Sequence, residues 1–171
     1  MLTRPEILQH AWVVPNLDAA IHHWHQTLGV GPFLVNRNLQ ISAPLHRGMP
    51  RAVAFSTAVA QSGSIQIELV EQHDDGPSAF RDTVPAGMTA FHHVAIIAQD
   101  FDAALRAYAG VDIAAEGRFG DIRFVYLDTS ATLGAMLEIL EDRPGIRAFF
   151  GAIRKAHDRW DGDPATLIRE L

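Results

Sequence analysis

The chain has 171 residues, a formal net charge of −6, 48% hydrophobic and 20% charged residues, which indicates one ordinary globular domain over residues 1–171. It contains no cysteine, which excludes disulfides, thiolate metal sites and a cysteine nucleophile. The acidic charge disfavours nucleic-acid binding, whose affinity comes mainly from neutralised phosphates. Because the sequence has neither a long apolar span nor a signal-peptide pattern, we expect a cytoplasmic protein without a membrane partner.

The first half of the chain is predicted to form one strand, one helix and three further strands. Residues 9–14 are a short apolar run typical of a buried strand. Asn16 is a suitable helix N-cap, and Gly29 is a suitable stop. The helix between them has one apolar face, formed at helical spacing by Leu17, Ala20, Ile21 and Trp24. The further strands are expected over residues 33–41, 51–60 and 67–71.

The second half repeats this order after a polar linker. The run that begins at His93 superposes without a gap on the run that begins at Gln9, at an offset of 84 residues, and Asp100 takes the place of Asn16. The two closing strands also match, at an offset of 70 residues. The other elements expected here are a helical turn at 78–83, strands at 111–118, 122–128 and 137–141, a helix at 145–157 and a loop at 160–164.

A repeat of this length indicates a duplicated module rather than a solenoid. We predict a first βαβββ module over residues 6–72 and a second over residues 90–142. Residues 143–171 form a C-terminal helix and tail.

Two glutamates, Glu68 and Glu138, occupy the same place in the two closing strands, each inside an apolar run. A carboxylate in a buried strand is costly unless it is paired or bound to a metal. A lone glutamate in a strand usually faces solvent, but the duplicated placement favours a functional role. Since a histidine-bearing strand opens each half, the carboxylates and imidazoles predict a mixed N/O site for a divalent transition metal.

The histidines of the opening strands need further selection, because adjacent residues of a strand point to opposite faces. Only one of His92 and His93 is therefore expected in the site. In the first half, the ungapped repeat places Gln9 opposite His93, whereas a one-residue bulge places His10 there. We favour His10 because imidazole is the better transition-metal ligand, and Gln9 remains the alternative.

These segments together resemble the vicinal oxygen chelate superfamily of glyoxalases, bleomycin resistance proteins and dioxygenases, in particular its glyoxalase I and methylmalonyl-CoA epimerase branch. The resemblance covers about residues 6–142. It rests on the order and duplication of loose motifs: Gln-His-Ala-Trp-Val-Val-Pro-Asn-Leu-Asp from position 9, Ile-Gln-Ile-Glu-Leu from 65, His-His-Val-Ala-Ile from 92 and Met-Leu-Glu from 136.

The resemblance implies an α+β fold in which two tandem βαβββ modules form a cupped, mostly antiparallel sheet around a metal site. It selects His93 over His92 in the second half. The implied ligands lie on the first and last strand of each module: His10 or Gln9, Glu68, His93 and Glu138. A glutamine is acceptable at the first position, since epimerase members use one at one of the four places.

The function implied by the resemblance is that of a metal-dependent isomerase, epimerase or lyase acting on a small carbonyl or acyl-thioester substrate. One divalent ion (Zn, Ni, Co or Mn) would bind two neighbouring substrate oxygens and stabilise an enolate. Glu138 or Glu68 would remove the proton α to the carbonyl. We also expect a homodimer.

Two alternatives belong to other classes. An extradiol-type dioxygenase would use a facial triad of His10, His93 and Glu138, which leaves Glu68 without a role as a ligand. A metal-free protein that binds a drug or metabolite in the same cup is the other, and the presence of both glutamates speaks against it.

Overall fold

Eleven strands form one sheet in the computed structural model, which describes residues 5–171. Residues 1–4, the start of the segment in which the sequence predicts no signal peptide, lie outside the described residues. The strands are β1 (Gln9–Val13), β2 (Phe33–Asn36), β3 (Ser42–His46), β4 (Met49–Pro50), β5 (Phe55–Ser62), β6 (Ile65–Gln72), β7 (Ala90–Ala98), β8 (Ile113–Phe119), β9 (Ile122–Leu127), β10 (Met136–Glu141) and β11 (Ile168–Glu170). The helices are α1 (Leu17–Leu28), α2 (Ala79–Thr83), α3 (Phe101–Ala107), α4 (Ser130–Leu133) and α5 (Pro144–Asp158), and a 3₁₀ turn spans Pro164–Thr166. Within the described part of the chain, no helix has both the length and the apolar composition that crossing a membrane requires.

The order of the strands in the sheet reflects two tandem modules. It runs β11-β2-β5-β6-β1-β7-β10-β9-β8-β3-β4. One βαβββ unit contains β1, α1, β2, β5 and β6, and the other contains β7, α3, β8, β9 and β10. The opening strands β1 and β7 pair antiparallel at the centre, so the units lie edge to edge in one cupped, mostly antiparallel sheet. The predicted fold class is confirmed.

The predicted N-caps of α1 and α3 and the predicted end of α1 lie where the sequence places them, whereas α3 ends at Ala107, before the glycine stop expected at Gly110. The side chain of Asn16 accepts a hydrogen bond from the backbone N–H of Ala19 at 2.8 Å, and Asp100 does the same for Ala103 at 2.8 Å. Gly29 ends α1 with a φ of 68°, a left-handed conformation that a residue with a Cβ atom adopts only at a cost. These caps fix where each helix leaves its opening strand.

Helices α1 and α3 cover the outer face of the sheet. The side chains of Leu17 and Ile21 on α1 are fully buried against a cluster that includes Leu69. Phe101 on α3 packs in the corresponding cluster of the second module with Ile139. This outer layer leaves the concave face free for other elements.

Helices α2 and α5 contact the concave face. Phe80 of α2 packs with Phe55 and Met136 between the two modules. Ile153 of α5 is fully buried against Leu34 and Val59 near one edge of the sheet. The cup is therefore partly filled from inside, and the space that remains lies between these helices.

The segment after β2 differs from the prediction. The strand expected over residues 33–41 ends at Asn36, and residues 42–50 form the hairpin β3–β4 instead. This hairpin leaves its own module and pairs with β8 of the other, where Leu45 lies opposite Glu116. Positive φ angles at Asn38, Ala43 and Arg47 turn the chain toward its new partner.

The C-terminal tail also contains structure that the sequence pattern did not predict. The loop predicted over residues 160–164 leads into a 3₁₀ turn and β11, which pairs in parallel with β2 so that Ile168 lies opposite Phe33. Both this strand and the hairpin are stabilised by partners distant in sequence.

Glu141 anchors β10 to the outer layer, and its ionisation is expected to support the fold. It accepts hydrogen bonds from Arg123 at 2.9 Å and Arg143 at 3.0 Å, and these contacts, Arg123 foremost, lower the pKa of Glu141 to about 2. Because the pKa is lower in the folded state, this stabilisation is full above the unfolded pKa of 4.5 and is lost as the pH falls toward 2.

We expect Glu141→Gln to lower the free energy of unfolding by about 1–2 kcal/mol at pH 7. The difference from the wild type should shrink between pH 4.5 and pH 2. Urea unfolding at several pH values measures this, with the exposed Glu6→Gln as control. A difference that does not change with pH would contradict the assignment.

Candidate metal centre

Three side chains from three strands converge on the concave face near the centre of the sheet. Glu68 lies on β6, His93 on β7 and Glu138 on β10. The Nε2 atom of His93 lies 3.2 Å from Glu68 Oε2 and 3.4 Å from Glu138 Oε2. One ligand atom from each residue lies within 4.8 Å of the other two. The structure thus brings together three of the residues predicted as ligands.

The geometry of this cluster fits a divalent ion. Two ligand atoms that each lie about 2.1 Å from a metal are separated by about 3.0 Å at a right angle and about 3.4 Å at the tetrahedral angle. The observed separations from His93 Nε2 fall within or close to this range. His93 is fully buried, and within residues 5–171 its Nε2 atom has no hydrogen-bond partner of acceptable geometry. An unsatisfied nitrogen between two carboxylates is suited to coordination.

His92 also points into the cup, contrary to the expectation that only one of the two histidines does so. The strand β7 has a bulge: Ala11 of β1 lies opposite His93, while the next residue, Trp12, lies opposite Phe91. His92 is therefore the extra residue. A bulge interrupts the alternation of side chains between faces, and His92 packs inside the cup, buried to 1% exposure.

The contacts of His92 fix the tautomer of His93. The Nε2 atom of His92 lies 3.0 Å from the carbonyl oxygen of Ala79, and its Nδ1 atom lies 2.8 Å from His93 Nδ1. Because a carbonyl only accepts, His92 Nε2 carries the proton and donates. Burial and the neighbouring His93 lower the pKa of His92 to about 3, so its Nδ1 is unprotonated and accepts from His93 Nδ1–H. In the neutral form of His93 the proton therefore lies on Nδ1, and the Nε2 lone pair is directed at the carboxylates.

Charge and burial oppose each other at this cluster. Burial lowers the pKa of His93, but the contacts with Glu138 and Glu68 outweigh it and raise the value to about 9. Burial also raises the pKa of Glu68, and the nearby His93 counteracts it in part. A cation binding between these groups therefore competes with a proton on His93 Nε2.

The structure separates the two candidates for the first ligand. Gln9 is buried and lines the same cavity as Glu68 and Glu138. His10 lies on the other face of β1, where its ring packs edge-on against Trp12 at 6.4 Å between ring centroids. The alternation of side chains along β1 directs Gln9, the alternative that the sequence left open, toward the other three residues, and His10 away from them.

The same placement affects the dioxygenase alternative. Its triad required His10 together with His93 and Glu138, and the structure does not bring these three together. The bulge that the sequence allowed in the first half lies on β7 of the second half instead.

Tyr126 is a residue of this site that sequence reasoning did not identify. It lies on β9 opposite Glu138 in the register of the sheet, and its ring centroid is 4.9 Å from that of His93. Burial, followed by the charges of Glu138 and Glu68, raises the pKa of Tyr126 well above its ordinary value, so the phenol keeps its proton. The available signal was its position in the strand predicted over residues 122–128, directly before the predicted strand that carries Glu138.

A cavity of about 220 Å³ adjoins the cluster. Glu68, Glu138 and Gln9 lie in its wall, together with side chains from β5, α2 and α5. The carboxylates thus face a space large enough for a small organic molecule.

A model of the glyoxalase/bleomycin resistance protein/dioxygenase superfamily matches residues 8–126. No curated protein matches the sequence.

Solved structures with the same fold include several methylmalonyl-CoA epimerases. The enzyme from Mycobacterium tuberculosis is 19% identical, with a TM-score of 0.55 over 86% of this chain and 97% of its own. A methylmalonyl-CoA epimerase in complex with methylmalonyl-CoA and NH4+ is 17% identical, with a TM-score of 0.54 over 83% and 97%. A hypothetical protein from Bacillus halodurans C-125 is 15% identical, with a TM-score of 0.56 over 82% and 96%.

Proposed function

The chain belongs to the glyoxalase/bleomycin resistance protein/dioxygenase superfamily, and from this premise we propose that it is a metal-dependent isomerase, epimerase or lyase. It removes a proton α to the carbonyl of a small carbonyl or acyl-thioester substrate. The observation that carries the proposal is that Glu68 and Glu138 converge on the Nε2 atom of His93, which has no hydrogen-bond partner among the described residues, beside the wall of a cavity.

We propose Gln9, Glu68, His93 and Glu138 as the residues that hold the ion. Two carboxylates, one imidazole and one amide form a mixed nitrogen and oxygen set that suits Zn, Ni, Co or Mn better than Mg. The two negative charges of the glutamates balance the charge of a divalent ion. Bound there, the ion supplies Lewis-acid stabilisation of negative charge on a substrate oxygen.

Proton transfer is assigned to the two glutamates. Glu138 is nine-tenths buried and reaches the cavity from β10, while Glu68 reaches it from β6 on the other side of β1 and β7. Placed on opposite sides of a bound substrate, one carboxylate takes the proton and the other returns it, as epimerisation requires. The phenol of Tyr126, which keeps its proton, is placed to donate to Glu138.

The similar structures support the same reaction class. Those named as methylmalonyl-CoA epimerases have the fold of this chain, and epimerisation at a carbon next to a thioester proceeds through loss and return of one proton. All four proposed ligands lie in one chain, so a partner is not needed to complete the site. The homodimer expected from the sequence remains a prediction, tested by the mass in solution.

Metal content tests the proposal. We expect about one divalent ion per chain after reconstitution and removal of loosely bound metal, accompanied by a rise in melting temperature. Elemental analysis and thermal unfolding measure both. His93→Gln should lose the ion, and the exposed His23→Gln should retain it. Less than about a tenth of an equivalent in the wild type, with no thermal shift, would contradict a metalloenzyme and favour the metal-free binding protein.

The assignment of the first ligand is tested by two neighbouring substitutions. We expect Gln9→Ala to weaken metal binding by at least about tenfold, because a direct ligand should matter no less than an outer partner. His10→Ala should leave the affinity unchanged, since that side chain lies on the other face of β1. Competition with a chromogenic chelator measures both, and the reverse ranking would show that the strand register at β1 is wrong.

A further inference from the structure

We infer that the substrate carries an uncharged hydrocarbon group of roughly six to eight carbons beside its reacting carbonyl, and that a second carboxylate on the substrate is disfavoured. The inference rests on the proposed function and specifies its substrate class. It follows from the juxtaposition of the carboxylate and histidine cluster with a mainly apolar cavity whose basic lining side chains, among the described residues, are His46 and Arg51.

The walls of the cavity are mainly hydrocarbon. On the sheet side, Val59, Val70 and Leu140 flank the glutamates. On the other side, α5 contributes Phe149 and Phe150. An apolar group that fills this space is removed from water on both sides, which favours binding by about 0.8 kcal/mol, or threefold to fourfold, for each buried methylene.

The size of the cavity limits the group it accepts. An engineered apolar cavity of about 150 Å³ is large enough to bind benzene, so a cavity of about 220 Å³ accommodates one ring with substituents. Since benzene, with six carbons, fits a cavity of about 150 Å³, this space holds roughly six to eight carbon atoms. Longer groups must extend into solvent.

The charges around the cavity disfavour an anionic group. Glu68 and Glu138 lie in its wall together with Glu116. Among the described residues, the basic side chains that line it are Arg51 and His46. Because the two glutamates already balance the charge of a bound divalent ion, a further carboxylate of the substrate that lies away from the ion would lose its hydration near Glu116 with little compensating positive charge.

Both basic side chains lie near acidic groups. His46 Nε2 lies 3.1 Å from both oxygens of Asp82. Arg51 is exposed and lies near Asp74, whose pKa is lowered first by the backbone N–H of Gly76 and also by the charge of Arg51. The ring of His46 is therefore engaged by Asp82, and the charge of Arg51 is partly offset by Asp74.

A series of hydroxamic acids tests the inference, because they present two neighbouring oxygens to a metal and differ only in the attached group. The series runs from aceto- to decanohydroxamic acid, with succinic monohydroxamic acid as an anionic counterpart of the pentano member. Binding to the zinc-loaded protein and to the metal-free protein is measured by calorimetry.

We expect the dissociation constant to fall about threefold for each added methylene and to level off after roughly six to eight carbons. The anionic compound should bind at least about tenfold more weakly than its uncharged counterpart. Phe149→Gln should reduce the gain per methylene, whereas Phe91→Gln, on the outer face, should not. A flat series, equal binding of the anionic compound or no binding at all would overturn the inference.

The metal-free arm separates the two proposals. A chain-length dependence that is the same with and without zinc supports the apolar cavity and contradicts the metal-dependent function. Binding that requires zinc but does not depend on chain length supports the metal centre and contradicts the substrate class.

Discussion

Replacing Glu138 by glutamine should lower the rate of α-proton exchange by about 10²- to 10⁴-fold, the usual contribution of a general base. Glutamine keeps the shape of the side chain and one carbonyl oxygen, so metal binding should weaken only modestly. What it removes is basicity, at a carboxylate that lies 3.4 Å from His93 Nε2 and faces the cavity. Exchange is followed by NMR in deuterated water with a 2-hydroxycarbonyl or acyl-thioester substrate.

The control for this variant lies on the same strand. Glu141 is three residues further along β10 and bonds to arginines on the outer face, so Glu141→Gln should leave exchange unchanged at neutral pH. Exchange at the wild-type rate in metal-loaded Glu138→Gln would exclude Glu138 as the base. Glu68 would then be the candidate, tested in the same way.

Replacing His92 by phenylalanine should weaken metal binding by about 10- to 100-fold, as is usual when the outer partner of a ligating histidine is lost. Phenylalanine fills the space beside Phe80 and Tyr126 but cannot accept the proton of His93 Nδ1. His93 is then free to place its proton on Nε2, the atom that must be bare for coordination. Chelator competition measures the affinity.

A purely structural role of His92 predicts a different result. If His92 only fills space, the His92→Phe variant should bind the metal as tightly as the wild type. The His92→Gln variant, whose side chain can still form a hydrogen bond, should then bind it no more tightly than His92→Phe. Tautomer control instead predicts partial recovery of metal affinity in His92→Gln. It also predicts altered nitrogen chemical shifts of His93 in ¹⁵N NMR of the metal-free protein at a pH above about 9, where His93 is neutral. Retained metal affinity together with unchanged nitrogen shifts of His93 would rule out control of the His93 tautomer by His92.

The internal repeat explains why so much of the site was visible in the sequence. Glu68 and Glu138 stood out because a carboxylate appeared twice inside an apolar strand at equivalent places. The helix caps Asn16 and Asp100 set the alignment of the opening segments of the two halves, at an offset of 84 residues. These features depend on residues near one another in the chain. Local patterns of polarity record them directly.

What the sequence did not determine depends on contacts between distant segments. The bulge at His92 arises where β7 meets β1, and no pattern within either strand reveals it. The placement of Gln9 rather than His10 follows from the face of β1 that the whole sheet turns toward the cup. The same holds for β11, which becomes a strand only because the edge of β2 is open to it.

The hairpin β3–β4 links the folding of the two modules. It lies within the first module in sequence but pairs with β8 of the second. The first module alone therefore leaves the backbone hydrogen-bonding groups along this edge of β3 without their partners. During synthesis the hairpin is made well before its partner β8. Pairing between such distant segments is slow because the chain must lose conformational entropy before it gains contacts. The two modules, although built on the same plan, should therefore fold and unfold together, and neither half should be expected to persist as an independent domain.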